Sequence, residues 1–360
     1  MKRTHGGNIY EVAKKLRKDP SEILDFSASI NPMAPPPGLE QNLFQKFPLA
    51  RNYPDINNTE LISLLAETHN CSTHQVMVAN GSTEIIYLLP HALGIRSALI
   101  VSPSFSEYEN ALMLARCSVV LAQASESNEF QPTKDFISYY LEQMRVDAVL
   151  LANPNSPAGA LLDEETLNWI LFLCKSTGSL VVLDEVFVDF CESRSFKTLI
   201  NSHRNLLIIR SMTKFYGLAG LRLGYALGSP MLISKLKKHQ PPWSINTLAQ
   251  YAGIYCLKQD GFREKTIKFV ERERRRFAEK IEKTDGFNVY PGNANFLLVK
   301  ISDHLPPAST LHEFLLNRGI LIRDCSTFPG LGSHFFRIAV RKPDENDELV
   351  THLHKFVSLI

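Results

Sequence analysis

Four polar segments in the middle of the chain combine residue types that could bind a phosphorylated group and act on an amine. They are residues 80–84 (Asn-Gly-Ser-Thr-Glu), 153–159 (Asn-Pro-Asn-Ser-Pro-Ala-Gly), 184–185 (Asp-Glu) and 211–224, where Lys214 lies among hydroxyls and glycines. A small-residue turn that opens a helix presents backbone amides to a phosphate. Each segment alone also fits an ordinary helix cap or a rigid turn. Their chemistry becomes specific only if the fold brings them together.

Each polar segment follows a short apolar run that is typical of a β-strand. Such strands, separated by amphipathic helices, predict an α/β fold with a parallel sheet covered on both faces. Ligands bind at the carboxyl ends of the strands of such a sheet, so the four segments should meet along one edge. The predicted strands are 76–79, 98–101, 119–122, 148–152, 180–183 and 206–210, and the predicted helices are 83–93, 107–116, 135–144 and 163–176.

The sequence after Trp243 changes character and predicts a smaller α+β unit. Four prolines between positions 32 and 37 exclude a long regular element there, so the first residues should form an arm that crosses both units. We therefore expect an arm at 1–45 that packs with the small domain, a large domain at 46–245 and a small domain at 246–360. The elements predicted in the small unit are helices at 246–283 (broken near 260), 311–318 and 344–357, and strands at 295–301, 320–323 and 335–340.

Composition excludes several classes of protein. The 360 residues carry 39 Lys and Arg against 37 Asp and Glu, a balance that does not favour binding to nucleic acid or to an acidic membrane surface. Six scattered cysteines, without a Cys-x-x-Cys motif or a histidine at zinc spacing, argue against a disulfide framework and a structural metal. With no apolar segment of membrane length and no secretory pattern near Met1, we expect a cytoplasmic protein.

Together, the four segments supply what pyridoxal 5'-phosphate requires. These are an amine for a Schiff base, a carboxylate that keeps the pyridine nitrogen protonated, and donors for the phosphate. A Rossmann dinucleotide loop competes, but the glycines of 217–224 lack the required spacing and follow the sixth strand instead of the first. The set resembles the fold-type I pyridoxal phosphate enzymes of the aspartate aminotransferase superfamily over nearly the whole chain. That resemblance implies a large domain with a mostly parallel sheet, a small α+β domain and an N-terminal arm.

The resemblance also implies individual roles. Lys214 would be the catalytic Schiff-base lysine, Asp184 the partner of the ring nitrogen, and Asn155 the donor to the phenolic oxygen, with Tyr108 covering the ring. Residues 51–55 (Arg-Asn-Tyr-Pro-Asp) resemble a segment whose tyrosine, here Tyr53, reaches the phosphate of the neighbouring subunit, which implies a homodimer. Ser82, Ser211 and Arg222 would hold the cofactor phosphate, with Gly81, Thr83 and Thr213 completing the cofactor site.

Three features resemble the decarboxylases that act on threonine phosphate in cobalamin biosynthesis. One is the arm, with His-Gly-Gly-Asn at 5–8 and Asp-Phe-Ser-Ala-Ser-Ile-Asn-Pro at 25–32. Another is Phe187, where related aminotransferases carry a tyrosine that bonds the cofactor. The third comprises 240–246 and the two strand segments with Arg323 and Arg337.

The resemblance implies conversion of L-threonine O-3-phosphate to (R)-1-aminopropan-2-yl phosphate, or of L-serine O-phosphate to ethanolamine phosphate, for the aminoalcohol linker of cobalamin. An aminotransferase acting on a phosphorylated substrate such as histidinol phosphate is the alternative, because the two activities share every cofactor ligand. A cofactor-binding regulatory protein without turnover is disfavoured, because the sequence has no attached helix-turn-helix or basic DNA-binding segment.

The expected substrate site combines two arginines with the arm. If the strands of Arg323 and Arg337 pair, both guanidinium groups could converge on one phosphate or carboxylate. Ser29 stands where the family has a substrate-binding Asn, which keeps serine phosphate open as a substrate, since one methyl group supplies only ~1–3 kcal/mol of discrimination. The substrate-binding residues implied are His5, Gly6, Ser29, Asn155, Arg323 and Arg337.

Overall fold

The computed structural model describes residues 5–360, and none of the helices in this range has the length and apolar character needed to cross a bilayer. The helices are α1 (Ile9–Leu16), α2 (Leu39–Lys46), α3 (Thr59–Thr68), α4 (Gly81–Leu93), α5 (Glu107–Leu114), α6 (Lys134–Gln143), α7 (Glu164–Thr177), α8 (Met212–Phe215), α9 (Pro230–His239), α10 (Thr247–Leu257), α11 (Asp260–Glu282), α12 (Ala308–Leu316) and α13 (Pro343–Ser358). The strands are β1 (Leu24–Asp25), β2 (Val76–Asn80), β3 (Ser97–Ser102), β4 (Ser118–Gln123), β5 (Ala148–Ala152), β6 (Leu180–Asp184), β7 (Leu206–Ser211), β8 (Leu223–Gly228), β9 (Phe287–Val289), β10 (Phe296–Ile301), β11 (Ile320–Leu321), β12 (Arg323–Asp324) and β13 (Phe335–Ala339).

The central sheet has seven strands in the order β2-β8-β7-β6-β5-β3-β4. Strand β8 runs antiparallel to both of its neighbours, β2 and β7, and the other neighbouring pairs are parallel, so the predicted mostly parallel sheet is confirmed. Side chains alternate between two hydrophobic cores: Val149 and Leu151 pack into one, Ala148 and Leu150 into the other. This alternation places helices on both faces and leaves the strand ends free for a site.

Strand β8 was not anticipated from the sequence. Its residues, Leu-Gly-Tyr-Ala-Leu-Gly, include two glycines, which are poor strand formers and obscure the pattern. The structure explains Gly224, since a Cβ there would lie 2.4 Å from the backbone nitrogen of Ser82. Strand β8 therefore brings the start of α4 close against the sheet.

The second sheet belongs to the C-terminal part of the chain and has the order β12-β13-β10-β9. Helices α11, α12 and α13 contribute apolar residues to its core, among them Phe277, Leu311 and Leu349. The single strand predicted at 320–323 is in fact two strands in different sheets. Ile320–Leu321 pairs in parallel with β1, whereas Arg323–Asp324 pairs with β13. The buried Ile322 between them marks the change of partner.

The N-terminal segment links the two sheets. Its β1 strand is bonded to β11 of the C-terminal part, while the Asn31 amide donates to the carbonyl oxygen of Lys214 at 3.0 Å. The Asn31 side chain donates to the carbonyl oxygen of Phe215 at 2.7 Å. The segment therefore braces the turn that carries Lys214 from the side of the small sheet.

Candidate active site

A cavity of ≈ 230 Å³ opens where β5, β6 and β7 end, with the C-terminal sheet and the N-terminal segment closing its other sides. Four predicted site residues, Gly81, Asn155, Ser211 and Tyr53, are not among the described residues that line it. Gly81 and Asn155 are next to lining residues in the chain, and the Ser211 hydroxyl lies 2.7 Å from that of the lining residue Thr213. Tyr53 is 80% exposed at the surface. The predicted residues that line the cavity are His5, Gly6, Ser29, Ser82, Thr83, Tyr108, Asp184, Thr213, Lys214, Arg222, Arg323 and Arg337.

Lys214 lies on the single turn of α8, directly after β7. Burial, together with the positive charges of Arg337 and Arg222, lowers the pKa of its amine from 10.5 to about 8, although the charges of Asp25 and Asp184 oppose the change. An amine with this pKa is partly neutral near physiological pH. It is therefore suited to attack a carbonyl and to transfer protons.

Asp184 ends β6 and is buried beside the same cavity. Burial raises the pKa of its carboxyl group to about 6, although hydrogen bonds from Tyr108 and from the Val186 amide, and the charge of Lys214, oppose the rise. The Tyr108 hydroxyl donates to Oδ2 at 2.5 Å and the Val186 amide donates to Oδ1 at 2.8 Å. Asp184 is therefore a fixed, mostly ionised carboxylate at neutral pH, able to pair with a protonated ring nitrogen.

Helix α4 begins with a cradle of the kind that binds phosphate. Gly81 has φ +73°, and a Cβ there would lie 2.6 Å from a guanidinium nitrogen of Arg222. The Ser211 and Thr213 hydroxyls lie 2.7 Å apart in the adjacent turn. The N-terminus of this thirteen-residue helix, the Arg222 guanidinium group and the two hydroxyls are groups that can bind a phosphate. With Lys214 and Asp184, these residues fit pyridoxal phosphate.

Asn155 is held by the backbone around it. Its side-chain amide donates to the carbonyl oxygen of Pro103 at 3.0 Å, and its side-chain oxygen accepts from the Ala158 amide at 3.1 Å. One N–H of the side chain is free of these contacts, so the expected bond to a phenolic oxygen stays a prediction. Ser29, also expected near the substrate, is buried, and its hydroxyl has no hydrogen-bond partner among the described residues.

The two predicted arginines lie opposite each other. Arg323 on β12 is the register partner of Arg337 on β13. Neither forms an ion pair with a carboxylate of the described chain. Burial lowers the pKa of Arg337 from 12.5 to about 10, and nearby Arg323 contributes to the lowering. Like charges on directly paired strand positions repel each other, so an anion bound beside the two guanidinium groups would stabilise the pair.

Arg337 is oriented by two residues that sequence reasoning did not assign. Its Nη1 donates to the Ser156 hydroxyl at 2.8 Å and its Nη2 donates to the Ser27 carbonyl oxygen at 3.2 Å. Ser156 belongs to the polar segment 153–159, but no role is predicted for it from the sequence. No local sequence signal identifies either contact, because positions 156 and 337 meet only through the tertiary fold.

The start of α5 holds a side-chain contact that the sequence pattern does not indicate. Tyr108 was assigned to the cofactor, but the neighbouring Glu107 was not assigned, although its side chain contacts His5 at 2.8 Å. Phe328 and Ser106 line the cavity as well. An acidic residue at the first position of a helix is common for electrostatic reasons, which hides a specific role such as this one.

The chain is similar to known proteins both in sequence and in structure. The family described as aminotransferase class I and II matches residues 21–353. The threonine-phosphate decarboxylase of Salmonella typhimurium is 33% identical over 98% of this chain and 96% of that protein. The crystal structure of L-threonine-O-3-phosphate decarboxylase from Porphyromonas gingivalis has a TM-score of 0.79 at 26% identity, covering 93% of this chain and 100% of the other. That of the histidinol-phosphate aminotransferase from Clostridium acetobutylicum has a TM-score of 0.88 at 30% identity, covering 94% and 100%.

Proposed function

Because the chain belongs to the class I and II aminotransferase family, we propose that it is a pyridoxal-phosphate-dependent decarboxylase of a phosphorylated amino acid. Its substrate is L-threonine O-3-phosphate or L-serine O-phosphate, and its product supplies the aminoalcohol linker of a cobalamin-type cofactor. The similarity to the Salmonella typhimurium threonine-phosphate decarboxylase supports the substrate class.

One observation carries the proposal: two arginines, without a carboxylate partner in the part of the chain that the structure describes, face the cavity that contains Lys214. Arg323 and Arg337 are register partners, and Arg337 keeps its charge despite burial. Guanidinium groups bind phosphate through paired, charge-assisted hydrogen bonds. A substrate with an amine and a phosphate a few bonds apart would join Lys214 and its cofactor to this arginine pair.

The residues around the cavity have separate roles in the proposed reaction. When bound, pyridoxal phosphate supplies the electron sink for the pair of electrons that remains at Cα after the carboxylate leaves as carbon dioxide. Asp184 would pair with the ring nitrogen of the cofactor and keep it protonated. Arg323 and Arg337 would hold the substrate phosphate and so restrict the rotation of the substrate about its N–Cα bond. Lys214, whose pKa is about 8, delivers a proton from Nζ to Cα.

The arginine clamp also protects the product. A phosphate on the β-carbon is a leaving group, and it departs when the Cβ–O bond lines up with the electron pair at Cα. Arg337, held by Ser156 and Ser27, would keep that bond away from this alignment. Orientation and protection are thus two results of one contact.

The alternative is an aminotransferase that uses a phosphorylated substrate, and the histidinol-phosphate aminotransferase of similar structure favours it. Phe187 favours the decarboxylase. Its ring lies at the cavity, edge-on to Phe296 with centroids 4.9 Å apart, and it has no hydroxyl to offer a cofactor oxygen.

The deciding experiment measures carbon dioxide from threonine phosphate and from serine phosphate without any 2-oxo acid, with Lys214→Ala as the control. Release that depends on Lys214 supports the decarboxylase. Absence of release, together with amino transfer from histidinol phosphate to 2-oxoglutarate, would replace it with the alternative.

We also propose that two copies of the chain form the active unit. Tyr53 is 80% exposed and its ring lies 4.7 Å from that of Trp243, and Phe44 and Phe47 are also large, exposed apolar side chains. Mixing a Lys214→Ala subunit with a Tyr53→Phe subunit tests whether Tyr53 completes the partner's site. One restored site per mixed dimer gives about a quarter of wild-type activity at random exchange, whereas no recovery contradicts a shared site.

A further inference from the structure

Glu107, a residue without an assigned task, connects the arm to the wall of the cavity. We propose that Glu107 is a positioning residue that holds His5 of the arm across the mouth of the cavity, where His5 helps to bind the anionic group of the substrate. The inference rests on the proposed function in one respect only, namely that the ligand between His5 and the arginines is a phosphorylated substrate.

The Glu107 carboxylate is fixed by three side chains. Oε1 lies 2.8 Å from His5 Nε2 and accepts from the Asn110 side-chain amide at 2.9 Å. Oε2 accepts from the Tyr87 hydroxyl at 2.5 Å. The residue is 9% exposed, and although burial opposes it, these hydrogen bonds lower the pKa of Glu107 below its ordinary value. Both oxygens are therefore oriented and ionised.

These contacts differ from those of an ordinary helix-capping acid. Helix α5 has Ser106 as its N-cap, and no side chain caps its first amides. The partners of Glu107 are side chains from α4, from α5 itself and from the arm, which are brought together by the tertiary fold. The burial and orientation of Glu107 therefore hold His5 in place and do not cap the helix.

His5 is placed where a second ligand contact is useful. Its ring packs on Phe105 with centroids 5.7 Å apart, and its Nε2 is engaged by Glu107. Its other ring nitrogen has no hydrogen-bond partner among the described residues. His5 and Arg323 line the same cavity, so a His5 imidazolium that donates from Nε2 to Glu107 can also donate from Nδ1 to an anionic group bound there.

The arm has a second anchor on the other side of His5. The Gly7 amide donates to the Ser27 hydroxyl at 2.7 Å, and a Cβ on Gly6 would lie 2.3 Å from the Ser27 carbonyl oxygen. That same carbonyl oxygen accepts from Arg337 Nη2 at 3.2 Å. The arm is thus tied to the substrate arginine at one point and to α5 at the other. Loss of the Glu107 contact should free the end of the arm without moving Arg337.

A double-mutant cycle tests this arrangement. Glu107→Ala and His5→Ala should each raise KM for threonine phosphate about tenfold, the loss of one charge-assisted contact, with kcat within about twofold of wild type. The double variant should show the same increase of about tenfold, because Glu107 acts through His5. Glu107→Gln, which keeps an acceptor for Nε2, should recover part of the loss. Glu109→Ala, on the same helix, is the control and should leave KM unchanged.

Hydrogen exchange of the holoenzyme provides a readout that does not depend on turnover. Glu107→Ala should speed amide exchange in residues 5–16, and Glu109→Ala should not. The proposal would be overturned if the increase in KM of the double variant equals the product of the two single increases. It would also be overturned if amide exchange in the arm is the same in Glu107→Ala as in the wild type. If the wild-type protein releases no carbon dioxide, the proposed function fails by itself. The cycle is then repeated with inorganic phosphate as the ligand, measured by calorimetry, and equal affinities in all variants would overturn the role of Glu107.

Discussion

Replacing Arg337 by methionine should stabilise the unliganded protein and weaken substrate binding at the same time. Burial and the charge of Arg323 both disfavour the charged form of the Arg337 guanidinium group, which has no carboxylate partner among the described residues. Methionine fills a similar volume without a charge. The two effects are opposite because the cation is unfavourable in the empty cavity and useful only when an anion is bound.

The expected gain in stability follows from the pKa of Arg337. Lowering from 12.5 to about 10 corresponds to roughly 3 kcal/mol of unfavourable free energy for the charged form in the folded state. This cost is fully present at every pH below about 10 and fades as the pH rises toward 12.5. Methionine also loses the hydrogen bonds to Ser156 and Ser27, worth about 1–2 kcal/mol together. A net gain of about 1–2 kcal/mol remains, which raises Tm by about 1–3 °C for a chain of this length.

The effect on binding should be larger. Two charge-assisted hydrogen bonds to a phosphate contribute about 3 kcal/mol in total, so KM for the phosphorylated substrate should rise about 100-fold. Scanning calorimetry of the apoprotein and carbon dioxide release measure the two effects. Arg341→Met is the matched control, since Arg341 has its own carboxylate partner, Glu345, at 2.6 Å. The control should lose stability and keep its KM. A destabilised Arg337→Met protein would refute the reasoning, because Arg337 would then support the fold.

Other expectations concern the cofactor site and the substrate clamp. Uptake of pyridoxal phosphate, fixed by borohydride, should rise with pH through about 8, as the Lys214 amine loses its proton, and Lys214→Ala should give no fixed adduct. Tyr108→Phe removes a hydrogen bond that lowers the pKa of Asp184, so the acid limb of cofactor binding, near pH 6 in the wild type, should move to higher pH. Arg337→Ala should increase phosphate release per turnover, measured against carbon dioxide, and an unchanged ratio would contradict the protective role. Ser29→Asn should change the ratio of kcat/KM for threonine phosphate and serine phosphate by about tenfold, while equal ratios would show that Ser29 does not contact the variable methyl group.

The parallel strands and their polar ends could be predicted because the determining signals are local. A run such as 148–152 is apolar and short, and parallel strands end at a common edge. Lys214 and Asp184 therefore had to approach each other once the sheet was inferred. The helix start at Asp163 was equally readable, and its side chain accepts from the Thr166 amide at 2.7 Å.

What could not be predicted depends on contacts between distant parts of the chain. The strand pattern at 320–323 looks continuous, yet its residues bond to two different neighbours. The role of Ser156 becomes visible only in the folded chain, where its hydroxyl accepts a hydrogen bond from Arg337. Glu107 resembles any acid at a helix start until His5 reaches it. In each case the sequence determines the residue type, and the partner is determined by the tertiary fold.

The parallel pairing of Leu24–Asp25 with Ile320–Leu321 has a consequence for synthesis of the chain. The two segments are about 300 positions apart, so the arm cannot pair with β11 until most of the chain has been translated. The central sheet can form earlier, from residues already exported. A truncated chain ending before residue 320 should therefore retain the sheet but leave the lysine turn without its brace. Arg323 and Arg337 also leave the ribosome after the central sheet, so the arginine pair of the cavity is completed only near the end of synthesis.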